Sequence, residues 1–256
     1  MADQIKPPIG QPLGFPQCPK CLYLRSGPPP VCLACARKSF ENVTATACPV
    51  CSQIMESGSC PNRLCTDSAR RITRIRAIAY SSGELRTTII RYKYNEMKGW
   101  SLIFGRLLVA WLDQNGRENP PDLIIANPTF VGDDGAKFGH TEKVIETAAT
   151  EDVLGEWSFD TRALTKKRST SPSAGGNVAA KRAAATELRD VLYASAAAKS
   201  KIHNKRILVY DDVCTTGNQL NTVAEYLIDE CGAANVEGIV LARAPWRSQR
   251  YPLPLP

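Results

Sequence analysis

Residues 206–231 constrain the fold of this chain more than any other segment. Ile207-Leu208-Val209-Tyr210 is a continuous apolar run, short and ending on an aromatic residue, which predicts a strand buried on both faces. Asp211 and Asp212 follow it, and Val213-Cys214-Thr215-Thr216-Gly217 reads as a small polar loop. A helix is then predicted over 217–231, with Leu220, Val223, Ala224, Leu227, Ile228 and Cys231 on one face and Gly232 as its stop. A strand covered on both sides and followed directly by a helix is the unit of a parallel sheet.

The chain from residue 71 repeats this alternation. Residues 71–80 place Ile72, Ile78 and Tyr80 among polar neighbours as in a strand, and Leu85, Ile89, Ile90 and Tyr94 recur at helical spacing. A second helix is predicted over 99–114, a buried strand at Leu123–Ala126 and a helix over 141–153. Strands are expected at 157–164, 190–194 and 238–242. The predicted class is α/β with a mostly parallel sheet and flanking helices. Aromatic and Met residues on these helices read as core, as does Cys231, while His140 and His203 are isolated and read as ordinary surface or core residues. Residues 165–186 fit no element, being rich in Ser, Ala, Gly and Lys/Arg. Such a segment is either disordered or a lid, and Lys166, Lys167, Arg168, Lys181 and Arg182 would suit a lid over an anion.

Eight of the ten cysteines lie between positions 18 and 65, as Cys18/Cys21, Cys32/Cys35, Cys48/Cys51 and Cys60/Cys65. Two residues between thiolates let one turn aim both sulfurs at a single ion, and two such turns complete a tetrahedral S₄ site. Eight ligands predict two closed, structural Zn²⁺ sites, although rubredoxin-like iron or a redox dithiol would use the same residues. Sequential pairing (Cys18, Cys21, Cys32 and Cys35; then Cys48, Cys51, Cys60 and Cys65) closes shorter loops than a cross-brace and is favoured on that ground. Without metal the segment has too few large apolar residues to offset its chain entropy. The expected organisation is a flexible tail over 1–17, a zinc-binding module over 18–70 with its own core, and an α/β domain over 71–256.

Residues 1–76 carry ten Lys/Arg against four Asp/Glu, most of the formal +7 of the whole chain. Each Zn(Cys)₄ centre carries −2, so two of them cut the local excess to about +2 and weaken the case for a nucleic-acid face. No apolar leader opens the sequence, and the longest apolar stretch, 102–112, is interrupted by Gly105 and Arg106. A cytoplasmic protein without a membrane span is expected.

Ligands of open α/β sheets sit at the carboxyl ends of the strands. There, two carboxylates can accept hydrogen bonds from vicinal ribose hydroxyls, while loop N–H groups, Thr hydroxyls and a helix N-terminus suit one phosphate. The sequence lacks both G-x-x-x-x-G-K-[ST] and G-x-G-x-x-G, which argues against P-loop and dinucleotide-binding folds.

Tyr210-Asp211-Asp212-Val213-Cys214-Thr215-Thr216-Gly217 resembles the phosphoribosyl pyrophosphate (PRPP) motif of type I phosphoribosyltransferases. With the four cysteine pairs ahead of it, the chain resembles the ComF family of zinc-bearing, phosphoribosyltransferase-like competence proteins, over most of residues 18–244. Residues 85–93, 122–128 and 138–140 agree more loosely. The resemblance implies a type I phosphoribosyltransferase-like domain preceded by a small Cys-rich double zinc-ribbon module. It implies that Asp211 and Asp212 hold the ribose hydroxyls, that Cys214, Thr215, Thr216 and Gly217 wrap the 5′-phosphate, and that Asn127, Pro128, Thr129 and Phe130 form the pyrophosphate loop. Residues 165–186 would be the hood, and Mg²⁺ would accompany PRPP. The implied function is phosphoribosyl transfer, or binding of PRPP or a ribose 5-phosphate nucleotide, linked to DNA uptake or nucleotide metabolism. The alternative is a non-catalytic ribose-phosphate sensor or scaffold whose zinc module engages single-stranded DNA or a DNA-uptake helicase. Asp133, Asp134 and Gln219 depart from the family pattern at the pyrophosphate loop and the helix start, and weigh against efficient catalysis rather than against binding.

Overall fold

The computed structural model describes residues 40–94, 98–132, 138–170 and 178–246. Elements follow in the order β1 (Ile75–Tyr80), α1 (Gly83–Tyr94), α2 (Trp100–Asn115), β2 (Leu123–Ala126), α3 (His140–Glu151), β3 (Phe159–Asp160) and β4 (Thr165–Lys166). They continue with α4 (Val178–Val191), β5 (Leu192–Tyr193), α5 (Ala196–Ile202), β6 (Arg206–Cys214), α6 (Asn218–Asp229) and β7 (Asn235–Arg243). Five strands form one parallel sheet in the order β1-β7-β6-β2-β3, so β6 is central. β4 and β5 form a separate antiparallel pair.

The continuous apolar runs behave as a sheet covered on both faces requires. Along β6, Leu208 and Tyr210 face one core with Ile124 and Ala126 of β2, beneath α1, α2 and α3. Ile207 and Val209 face the other with Leu123 and Ile125, beneath α6 through Leu220, Val223 and Leu227. These side chains are almost all fully buried, each worth about 1.5–3 kcal/mol relative to exposure. The predicted mostly parallel sheet with flanking helices is the fold observed.

Details differ from the sequence reading. β6 does not stop at Tyr210 but runs through Asp211 and Asp212 to Cys214, paired residue by residue with β7. The two carboxylates therefore lie within the central strand rather than after its end. The predicted strand over 157–164 contracts to β3, and residues 165–186 contain β4 and the start of α4. The cysteine-rich segment also shares the main cores. Phe40 packs in the first and Leu64, from a 3₁₀ turn at Arg63–Thr66, in the second. Ile75 N–H donates to the Val50 carbonyl, and Gln53 Nε2 to the Ala244 carbonyl. The expectation of separate cores is corrected accordingly. The proposed first four metal ligands, Cys18, Cys21, Cys32 and Cys35, and the tail over 1–17 lie outside the described residues, as do Asp133 and Asp134. Among the described residues no helix is long and apolar enough to cross a membrane.

Candidate functional site

Asp211 and Asp212, 8% and 1% exposed, point their adjacent carboxylates into a site that three other elements complete. α1 supplies Lys93, whose ammonium lies 2.7 Å from Asp212 Oδ1, and α3 supplies His140, whose Nε2 lies 3.2 Å from Asp212 Oδ2. The loop after β2 supplies Asn127, whose Nδ2 donates to Asp211 Oδ2 at 2.9 Å. Tyr92 fixes the start of α3 by donating to the His140 carbonyl at 2.6 Å. Beyond this 3.2 Å approach of His140, Asp212 Oδ2 has no hydrogen-bond partner among the described residues, and the buried Asn127 Oδ1 has none there either. Buried acceptors of this kind are uncommon unless a ligand or water serves them.

The two acids titrate differently. Burial, and then the Asp212 charge, push Asp211 up to about 6. Burial acts on Asp212 too, but Lys93 and His140 outweigh it and hold this carboxyl well below the usual range. Burial opposes the Lys93 ammonium, yet the two carboxylates more than compensate and raise its pKa. A carboxyl raised in the folded state contributes stability that is full below its unfolded pKa and is lost as pH rises through about 6. The melting temperature of wild type should therefore fall relative to Asp211→Asn between about pH 4 and 6. Parallel melting curves across that range would contradict the assignment.

Residues 215–217 connect the acids to α6 in an unusual electrostatic setting. The Cys214 carbonyl accepts from Ala244 N–H and from Arg243 Nη1, at 2.9 and 2.7 Å, and Arg243 Nη1 also donates to the Thr215 carbonyl. Asn62 Nδ2 donates to the Thr216 carbonyl at 2.9 Å. In a trans peptide the carbonyl and the following N–H point in opposite directions. With three successive carbonyls directed at Arg243, Ala244 and Asn62, the N–H groups of Thr215, Thr216 and Gly217 turn to the other side. Among the described residues none of the three donates to a protein acceptor. Gly217 caps α6 at φ 84°, and a Cβ there would sit 2.6 Å from Ile75 Cδ1 and 2.8 Å from Leu64 Cδ2. The Cys214 thiol itself is buried in the core, leaving only its backbone near the loop.

The loop after β2 has the opposite character. Asn127 N–H donates to the Tyr210 carbonyl at 2.7 Å, and Pro128 has no N–H. Thr129 N–H and Oγ1 both donate to Glu142, each at 2.7 Å, and Thr141 Oγ1 lies 3.0 Å from the same carboxylate. Lys166, on β4, is largely buried here. Its burial lowers the ammonium pKa against the pull of Asp211 and Glu142.

Cys48, Cys51, Cys60 and Cys65 gather below residues 215–217, their sulfurs all within 4.8 Å of one another. Sulfur separations of 3.7 Å for Cys48–Cys65, 3.7 Å for Cys51–Cys60 and 3.6 Å for Cys60–Cys65 fit a tetrahedron with metal–sulfur bonds of about 2.3 Å, whose edges are about 3.8 Å. These four can hold one metal ion, in the sequential pairing. Burial raises the Cys51 thiol, but Arg243, Asn62 and the neighbouring thiol bring it below its ordinary value, the condition of a good ligand. Arg243 Nη2 lies 3.9 Å from Cys51 Sγ, so one guanidinium spans the cysteine cluster and the 215–217 loop.

The structure thus brings Asp211, Asp212 and Asn127 together, and places Thr215, Thr216 and Gly217 at the start of α6. Sequence reasoning missed Lys93, His140, Glu142 and Arg243. Their own signal is polarity within helices and at a strand end, which a solvated face also produces, and the looser likeness over 85–93 and 138–140 gives Lys93 and His140 no role.

Residues 148–250 match the family model described as the phosphoribosyl transferase domain, which includes β6 and the 215–217 loop. This part of the chain is phosphoribosyltransferase-like. No curated protein matches the chain. A solved hypoxanthine phosphoribosyltransferase from Staphylococcus aureus is similar at 15% identity, over 62% of this chain and 70% of that one, with a TM-score of 0.32.

Proposed function

We propose that the chain is a ComF-type phosphoribosyltransferase-like protein that holds a ribose 5-phosphate group at the carboxyl end of β6. One observation carries the reading: three successive backbone N–H groups without acceptors among the described residues, at the start of a helix, next to two buried carboxylates. The N–H groups of Thr215, Thr216 and Gly217 would take the 5′-phosphate, with the Thr hydroxyls and the α6 N-terminus. Asp211 and Asp212 would accept from the ribose 2′- and 3′-hydroxyls, Asp212 Oδ2 being already short of a donor. The Lys93 ammonium offsets the charge of the acid pair. Cys48, Cys51, Cys60 and Cys65 would hold a structural zinc ion and Cys18, Cys21, Cys32 and Cys35 a second. Mg²⁺ would supply charge neutralisation for a pyrophosphate-bearing ligand.

In a transfer reaction a nitrogen nucleophile forms the bond to C1 while the C1–O bond to pyrophosphate breaks and pyrophosphate leaves with the electron pair. The chain's own part is to fix the ribose at both ends. The second reading, a non-catalytic ribose-phosphate sensor or scaffold, is favoured by the loop after β2, where Glu142 already takes the Thr129 donors. Pyrophosphate release from PRPP, Mg²⁺ and pooled nucleobases separates the two. Release that is lost in Asp211→Asn supports the enzyme, and saturable binding without release supports the sensor. The link to DNA uptake rests on the resemblance. It requires salt-sensitive binding of single-stranded DNA or of a helicase through the cysteine-rich module, and absence of both at low salt would remove it.

A further inference from the structure

Two candidate anion sites flank the acid pair, and their backbone donors are in opposite states. At residues 215–217 the N–H groups have no protein acceptor among the described residues. In the loop after β2, Asn127 N–H is committed to Tyr210, Pro128 has none, and both Thr129 donors are committed to a carboxylate carried by α3. That carboxylate is seated rather than incidental. Thr141 Oγ1 lies 3.0 Å from Oε2, and a Cβ on Gly139 would come within 2.9 Å of the same oxygen. With glycine at 139, Glu142 occupies this space without having to shift.

We propose that Glu142 is a specificity-determining residue that fills the pyrophosphate half of the site with its own anion, so that the chain selects a ribose carrying a single 5′-phosphate over PRPP. The inference rests on the ribose 5-phosphate reading of residues 211–217. A second anion arriving beside Thr129 has to displace the Glu142 carboxylate from both Thr129 donors and then lie next to it. It meets the negative charge of Asp211, Asp212 and Glu142 together, against the positive charge of Lys93 and Lys166. The ligand class is therefore a pentose 5-phosphate or nucleoside 5′-monophosphate, whose C1 substituent is neutral or absent.

The test is calorimetry on the full chain with ribose 5-phosphate and with PRPP, each with Mg²⁺, in wild type, Glu142→Gln and Glu142→Ala. The quantity read is the ratio of the two dissociation constants. In wild type PRPP should bind no more tightly than ribose 5-phosphate. The ratio should move towards PRPP in Glu142→Gln, which removes the charge, and by roughly tenfold or more in Glu142→Ala, which also frees the donors. A wild type that prefers PRPP tenfold or more overturns the inference and leaves the ribose-phosphate reading intact, and needs no variant to fold. A ratio unchanged in both variants overturns it equally. Failure of wild type to bind either ligand at millimolar concentration overturns the reading beneath it, and the inference with it.

Discussion

Arg243→Leu is expected to lower the melting temperature by roughly 6–12 °C and to weaken ribose 5-phosphate binding by about tenfold or more in the protein that remains folded. The Arg243 side chain is fully buried, and its guanidinium serves the Cys214 and Thr215 carbonyls and faces Cys51 Sγ. Leu keeps much of the volume but leaves the Thr215 carbonyl without its donor and a thiolate without its cation. Each costs about 1–3 kcal/mol, so about 3 kcal/mol together is a fair expectation, at ~2–4 °C per kcal/mol for a domain of this size. Affinity falls for a separate reason. The Arg243 contacts hold successive carbonyls on one side, and the N–H groups face the other side only while they do. Unchanged affinity with lowered stability would make Arg243 a plain core residue.

Asp212→Asn is the second large effect. Breaking a buried ion pair by removing one partner costs roughly 3–5 kcal/mol. The lower end is expected here, because Lys93 is 19% exposed and can turn partly to water. The same change removes a charge-assisted acceptor worth roughly 1.5–3 kcal/mol, so ribose 5-phosphate affinity should drop about tenfold to a hundredfold. Pairing it with Lys93→Met separates the two. The double variant should regain stability, since no unpaired ammonium is left, and should not regain binding. Recovery of both would mean that Asp212 serves the fold alone.

Asp212 marks the limit of what the sequence carries. The buried strand, the helix after it and the parallel class were legible because apolar runs of this length have few other solutions, as Ile207–Tyr210 and Leu123–Ala126 illustrate. The end of β6 was not. Two acids and a Thr pair read as the close of a strand, whereas pairing with β7 carries the ladder through Asp211 to Cys214. By composition residues 165–186 read as a lid or a disordered segment, yet Val178–Val191 is rich in Ala and forms α4. The fourfold cysteine cluster was legible from spacing, and its docking was not. Arg243 meets Cys51 across 192 residues, and no local pattern announces that contact. Lys93 and His140 were hidden in the same way, since a polar residue on a helix signals a pocket only when the opposite wall is known.

The central claim is that the backbone of residues 215–217 receives a phosphate. Backbone amide shifts in a titration of the full chain with ribose 5-phosphate read this directly. The account requires the Thr215, Thr216 and Gly217 amide resonances to move downfield together and saturate with one dissociation constant, shared with residues around Asp211 and Asp212. Saturable binding that leaves those three amides where they were, or no binding at millimolar ligand, would contradict it.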